Sequence, residues 1–351
     1  MISIVGSLAI RDFLILMHTP GEILEQSLDY IKVILLGFVI TVLNNLFMSV
    51  LQSLGDSSTP FWALLVSSVT NIGLDCVFVL TLKWGVQGAA AATVLSQVFS
   101  FAICAAGLKR LKFVSILDGS KSKNARLTVR MLKTGLPVGI MSMVTAVGGM
   151  ILQFFVNDLG ASAVAAYAAS TKIRSVIGEF SNALGMTFMT FVGQNYGAQK
   201  YDRIKAGVRM GVLLSILIHI PLSAVEIFGG KRIASLMVTD PPVLELCRQY
   251  LLIVGIFVFF LGFLMVFRNC IQGMGNTWIP MLSGGLEVFS RLIFGYWLGR
   301  HSFMGIAAAE ASAWISVSIM LGSSFFVLFR KVLRTQTPED TTDTKNIRTV
   351  S

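Results

Sequence analysis

Five carboxylates interrupt long apolar stretches of this 351-residue chain: Asp75, Glu179, Glu226, Glu287 and Glu310. An ionisable group at bilayer depth costs roughly 2.5–3.5 kcal/mol on insertion scales, so each needs a reason to be there. Asp75 has the clearest one. Asn71 lies four residues before it and Ser68 seven, so the three share one helix face in an otherwise apolar segment. Thr41, Asn45, Met48 and Gln52 fall on one face of the preceding segment, and Thr93 and Gln97 on one face of the following segment. Three neighbouring helices thus aim polar groups at one cavity, lined by Ser68, Asn45, Met48, Thr41 and Gln97. A carboxyl in a dry cavity favours its neutral form, which would let Asp75 take up and release a proton. Alternatively, Asp75 with the side-chain oxygens of Asn71 and Thr93 could ligate Na⁺, a hard cation suited to oxygen ligands.

The remaining acids have charged neighbours. Glu287 and Arg291 stand one helical turn apart and are expected to neutralise each other. Glu310, near the start of the last apolar stretch, reads equally as a functional acid or as a cap for that helix. With Glu287 and Arg291 it makes up the polar candidates of the second half. Glu179 with Lys172 and Arg174 reads as a buried ion pair or as a charged patch on a water-filled cleft.

These groups must be held by a membrane protein. AVILMFWYC residues make up 54% of the chain and charged residues only 13%, which argues against a soluble enzyme. The 28 Lys and Arg exceed the 18 Asp and Glu, giving a net charge of +10, yet they collect in a few gaps between apolar stretches. A nucleic-acid reader would spread them over one surface. Cys76, Cys104, Cys247 and Cys270 lie in or beside apolar runs, with no CxxC and only three histidines, so small buried side chains fit better than disulfides or a metal centre. No cofactor is implied beyond a coupling ion.

Stretches long enough to cross a bilayer lie near residues 31–53, 59–82, 85–107, 135–158, 162–192, 205–228, 246–271, 279–299 and 303–329. Residues 1–17 read as the end of a further transmembrane helix rather than a targeting signal. Sustained alternation is missing, which excludes an outer-membrane barrel and leaves an all-α integral membrane bundle. The segment Lys109–Lys133 carries eight Lys or Arg against Asp118 alone, so it is expected to be cytoplasmic. The 195–209 loop and the tail then fall on the same side, although Lys231 and Arg232 fall on the other. After Arg334 the tail is polar and reads as disordered.

Laid over itself with a shift of 220, the chain repeats. LMHTPGEILEQSLDY (16–30) matches LMVTDPPVLELCRQY (236–250), and the register runs without a gap through Phe47/Phe267, Gln52/Gln272, Gly55/Gly275 and Pro60/Pro280. Three residues of slippage later, GAAAAT (88–93) meets GIAAAE (305–310). Two homologous bundles are therefore expected. Residues 1–107 are an incomplete first lobe, the end of a third helix plus helices four to six. Residues 108–134 are the basic linker, 135–330 the six-helix second lobe, and 331–351 the tail. An even number of spans per copy relates the lobes by an axis along the membrane normal. Doubling the repeat implies about 440 residues, so the chain reads as lacking about 90 at its N-terminus.

At this point the chain resembles a known family. The GDSSTP turn (55–60), NIGLD (71–75), VQGAAAATVLSQ (86–97) and above all VGQNYGAQKYDR (192–203) are similar to multidrug and toxic compound extrusion (MATE) transporters, over residues 13 to about 330. The resemblance implies two bundles around a V-shaped cleft in the plasma (inner) membrane, acting as a monomer. It also implies H⁺- or Na⁺-driven export of amphipathic, often cationic, small molecules by alternating access. Asn71, Asp75 and Thr93 match the amino-terminal-lobe cation site of the family. Its essential acid on the first helix has no counterpart in this sequence, so a fragment of a full transporter and an inactive product are both open readings. Second-lobe acids used by some members are also missing at depth in 135–158 and 246–271, where Thr145 stands near the first position. A lipid-linked precursor flippase of related architecture is the alternative; it should have a strongly cationic central cavity. Phosphate-cradling loops are missing, so transport would draw on an ion gradient.

Overall fold

The computed structural model describes residues 10–11, 21–110 and 125–334. The leading fragment apart from residues 10–11, most of the expected linker and the tail beyond residue 334 lie outside the described residues. Among the described residues from 21 onward, ten α-helices follow in order: α1 (Gly21–Ser53), α2 (Ser58–Asp75), α3 (Gly85–Arg110), α4 (Ala125–Asp158), α5 (Ala161–Gly197), α6 (Tyr201–Ala224), α7 (Gly230–Ala234), α8 (Pro241–Gly273), α9 (Trp278–Phe294) and α10 (Phe303–Arg334). A π-helical turn continues α2 (Cys76–Thr81), α6 (Val225–Gly229) and α9 (Gly295–Gly299). Helix α4 starts at Ala125, so residues 125–134, expected in the linker, are helical.

The nine expected spans each coincide with a long helix, yet by length and composition seven are apolar enough to cross a membrane. The two that fall short are α5 and α9 with its π turn. Lys172, Arg174 and Glu179 lower the hydropathy of α5, and Glu287 and Arg291 that of α9.

The described residues divide into two compact units, within residues 1–122 and 123–351. In the first, α3 packs on both α1 and α2, around a small core of Leu51, Ala63, Cys104 and Leu108. Gly37 admits the close approach, because a Cβ there would fall on the Val94 side chain. Many outward side chains of this unit, such as Leu36, Val69 and Leu80, are apolar and exposed, the pattern of a bundle solvated by lipid. The second unit has the larger core, with Tyr250, Leu264, Ile306 and Trp314 buried where α5, α8 and α10 meet.

The sequence repeat is also a repeat of local structure. Helices α1 and α8 end 220 residues apart at Ser53 and Gly273, and α2 and α9 begin 220 apart at Ser58 and Trp278. Each pair is joined through a left-handed glycine, Gly55 (φ +90°) or Gly275 (φ +81°), a conformation that L side chains rarely adopt. The amide N–H of each donates to a glutamine carbonyl, Gln52 (3.0 Å) or Gln272 (2.8 Å). The next residue then caps the following helix. Asp56 Oδ1 accepts from Thr59 N at 3.0 Å, and Asn276 Oδ1 from Ile279 N at 3.2 Å. In both units the third helix of the repeat packs on the other two.

Candidate functional site

Asp75 is the last α-helical residue of α2, directly before the π turn, which packs on α3. Such turns widen the backbone and gather at functional positions. Asn71 sits one turn earlier. Asp75 Oδ1 and Asn71 Nδ2 are both buried without a hydrogen-bond partner among the described residues. Buried polar atoms are almost always paired, so the orphaned Asp75 oxygen marks a place suited to a proton or a cation; the Asn71 amide nitrogen is a donor, and only the oxygen of that side chain could ligate a cation. Thr93, on the adjoining α3, donates its hydroxyl to the Ala89 carbonyl at 3.0 Å, which leaves its oxygen lone pairs as acceptors. The donor set of Asp75, Asn71 and Thr93 is oxygen-rich with a single acid. It fits a monovalent hard cation better than a transition metal.

The polar residues around this pair are arranged differently from expectation. Asn45 and Ser68 are exposed, and their neighbours Asn44 and Ser67 make the interhelical bonds instead. Asn44 Nδ2 donates to Gln97 Oε1 at 2.8 Å and Asn44 Oδ1 accepts from Ser100 Oγ at 3.1 Å, joining α1 to α3. Ser67 Oγ donates to the Ser96 carbonyl at 3.0 Å, joining α2 to α3. In apolar surroundings each polar group turns to the nearest helix, and that helix is α3 for both faces. Gln97 Oε1 is thus engaged by Asn44. Thr41 leans on its own helix, 3.5 Å from the Gly37 carbonyl, and Met48 packs on the small core. Of the expected cavity lining, Thr41 and Gln97 are thus hydrogen-bonded, Met48 packs on the small core, and Asn45 and Ser68 are exposed.

An open groove occurs within the second unit. Its volume is about 610 Å³, and five of the sixteen methionines (Met131, Met141, Met186, Met189, Met265) line it with Arg268. Flexible, polarizable thioethers suit ligands of varied shape.

Behind Arg268 runs a buried ionic chain. Arg268 Nη2 lies 3.0 Å from Glu287 Oε2, and Arg291 Nη2 lies 2.9 Å from Glu287 Oε1 and 3.5 Å from Glu310 Oε1. Arg174 Nη2 closes the chain on Glu310 at 3.0 Å, and Tyr250 donates its hydroxyl to Glu310 Oε2. The expected Glu287–Arg291 pair is thus one link of five alternating charges from α5, α8, α9 and α10. Glu310 is 1% exposed, more than a turn inside α10, and so does not cap that helix. Its interior position gives it two guanidinium partners. Glu179 is exposed, and its expected partner Arg174 turns to Glu310.

Arg174, Arg268 and Tyr250 join this chain although no expectation singled out the last two. Their signals were present: an arginine at depth is as costly as an acid, and Tyr250 is the repeat counterpart of Tyr30. The repeat also aligns the two polar centres. In the 220 register Met48, Ser67 and Asn71 stand opposite Arg268, Glu287 and Arg291, and after the slippage Thr93 stands opposite Glu310.

A duplicated, multi-pass helical bundle with unpaired polar groups at depth in one unit and an ionic chain in the other defines a membrane transporter rather than an enzyme. The chain belongs to the MATE family: the MatE profile matches residues 1–77 and 137–297. It is similar to the probable multidrug resistance protein YoeA of Bacillus subtilis (strain 168), 27% identical over 328 residues that cover 87% of this chain and 71% of that protein. It is also similar to the probable multidrug resistance protein NorM of Thermotoga maritima, 24% identical over 321 residues covering 89% and 68%. In fold it matches the outward-facing structure of a multidrug resistance MATE family transporter with a TM-score of 0.87, at 22% identity, over 96% of this chain and 76% of the other.

Proposed function

We propose that the protein exports amphipathic, including cationic, small molecules in exchange for H⁺ or Na⁺ by alternating access, with Asp75 and Asn71 as the coupling site and Thr93 beside it. The observation that carries this reading is the buried Asp75 Oδ1, which has no hydrogen-bond partner among the described residues and lies directly before the π turn, one helical turn after Asn71. The methionine-lined groove near Arg268 supports an adaptable substrate site. Relatives described as multidrug resistance proteins support the substrate class. The Lys and Arg bias supports a cytoplasmic linker (108–134) between the lobes and a cytoplasmic tail in the plasma (inner) membrane, and a monomer suffices for this scheme. The flippase alternative is less favoured, because the buried Arg268 and Arg291 and the partly buried Arg174 are all paired with Glu287 or Glu310.

Efflux of a fluorescent cationic dye tests the proposal, in cells expressing the protein with an imposed H⁺ or Na⁺ gradient. Asp75→Asn should abolish gradient-driven export while leaving the protein in the membrane. Unchanged, gradient-dependent export by that variant would sink the assignment.

A further inference from the structure

One buried acid of the second unit belongs to neither centre. Glu226 lies in the π turn after α6, is 1% exposed, and neither carboxylate oxygen has a hydrogen-bond partner among the described residues. It sits on the seam between α6 and α8. Ser215, His219, Ser223 and Glu226 form a buried stripe along one face of α6 and its π turn. The stripe is pressed onto two glycines of α8 seven residues apart: a Cβ at Gly262 would fall on Ser215 and His219, and one at Gly255 would stand 3.0 Å from Glu226 Cβ. Ser223 Oγ donates to the Gly255 carbonyl at 2.7 Å.

The other titratable group of the stripe is fully satisfied. His219 Nδ1 faces the Ser215 carbonyl at 2.7 Å and must donate to it, so Nε2 of the neutral ring accepts from Ser181 Oγ at 2.7 Å. Glu226 has no such bonds. The charged groups that act on it electrostatically are Arg174 of α5 and Glu310 of α10; Tyr167 of α5 and Tyr250 of α8 act in turn on Arg174. Arg174 is committed to Glu310 and stacked over Trp314, its Cζ 5.6 Å from the ring centroid, and its Nε is unpartnered. A carboxylate buried without hydrogen bonds is unfavourable, whereas a neutral carboxyl is tolerated.

We propose that Glu226 is a proton-binding site of the second unit, separate from Asp75, and that loss of its proton draws Arg174 away from Glu310. In that step the O–H bond of Glu226 breaks, its electron pair stays on the carboxylate and the proton passes to solvent. The set of Arg174, Arg268, Arg291, Glu226, Glu287 and Glu310, buried apart from the partly exposed Arg174, then changes from one net positive charge to none. Glu310 keeps Arg291 and Tyr250 while Arg174 turns towards Glu226.

Trp314 reports the step, because Arg174 covers its ring. In a chain whose other tryptophans (Trp62, Trp84, Trp278, Trp297) are replaced by Phe, emission is titrated between about pH 5 and pH 9 in nanodiscs with no ion gradient. A one-proton transition is expected in the parent and in Asp75→Asn, shifted in Glu226→Asp and lost in Glu226→Gln. A transition that persists in Glu226→Gln, vanishes in Asp75→Asn or is missing from the parent overturns the proposal. Infrared difference spectra of the parent over the same range give a second readout, free of the Glu226→Gln fold. The carbonyl band of a protonated carboxyl should fall in step with the Trp314 change, and its absence overturns the proposal equally.

Discussion

Asn71 and Arg291 stand 220 residues apart at the same place in two copies of one helix, α2 and α9. Asn71 Nδ2 has no hydrogen-bond partner among the described residues, whereas Arg291 bridges Glu287 at 2.9 Å and Glu310 at 3.5 Å. One backbone frame thus carries an open polar site in the first unit and a closed ionic lock in the second. A closed chain resists change, because removing any member leaves a buried charge exposed to an apolar interior.

Arg291→Met should therefore destabilise the second unit by about 3 kcal/mol, since Glu287 and Glu310 each lose a guanidinium. Thermal unfolding in detergent measures this. Adding Glu287→Gln to that variant should recover part of the loss; strictly additive losses would contradict a shared network.

On the first unit the choice between adjacent asparagines can be read directly. Asn44→Leu strands Gln97 Oε1 and the Ser100 hydroxyl and should cost about 1 kcal/mol, the modest scale of interhelical hydrogen bonds in membranes. Asn45→Leu, at an exposed position, should stay within about 0.5 kcal/mol. Equal effects in thermal unfolding would reject the assigned helix rotation.

Asp56 lies in the turn between α1 and α2, where the Thr59 hydroxyl (2.6 Å), the Thr59 amide and the Ser58 amide hold its carboxyl below the ordinary value of 3.8. A depressed folded value means the stabilisation is complete above the unfolded value and lost as pH falls through the folded one. Asp56→Ala should cost about 1 kcal/mol at neutral pH as a lost cap. Unfolding midpoints of parent and variant should converge in acid, and a gap that widens there would contradict the bonding.

Glycine positions give a steric test. A Cβ at Gly305 would fall on the Leu298 carbonyl and lie 2.9 Å from Gly299 N, backbone atoms that cannot swing away. Gly305→Ala should cost about 2 kcal/mol or more. Gly149→Ala, with open space around it in α4, should be neutral or slightly stabilising, by up to about 1 kcal/mol. The amount of folded protein after solubilisation and its thermal midpoint distinguish the two.

The amino-acid sequence by itself determined the helical class, the nine long helices and the repeat, because apolar length and a gapless register of Gly, Pro, Gln and Tyr are properties of the linear chain. It also singled out Asp75, Asn71, Glu287, Arg291 and Glu310, since a polar atom in an apolar run is visible without coordinates. Periodicity could not say which of two adjacent polar residues meets a neighbour. A helix turns about 100° per residue, so Asn44 and Asn45, or Ser67 and Ser68, differ by a rotation that only packing against α3 fixes. Nor could the linear chain reveal that Arg174 leaves Glu179 for Glu310, more than a hundred residues away, or that Glu226 finds no hydrogen-bond partner among the described residues. Those outcomes depend on which buried groups come within a few ångströms of one another, and tertiary packing alone decides that.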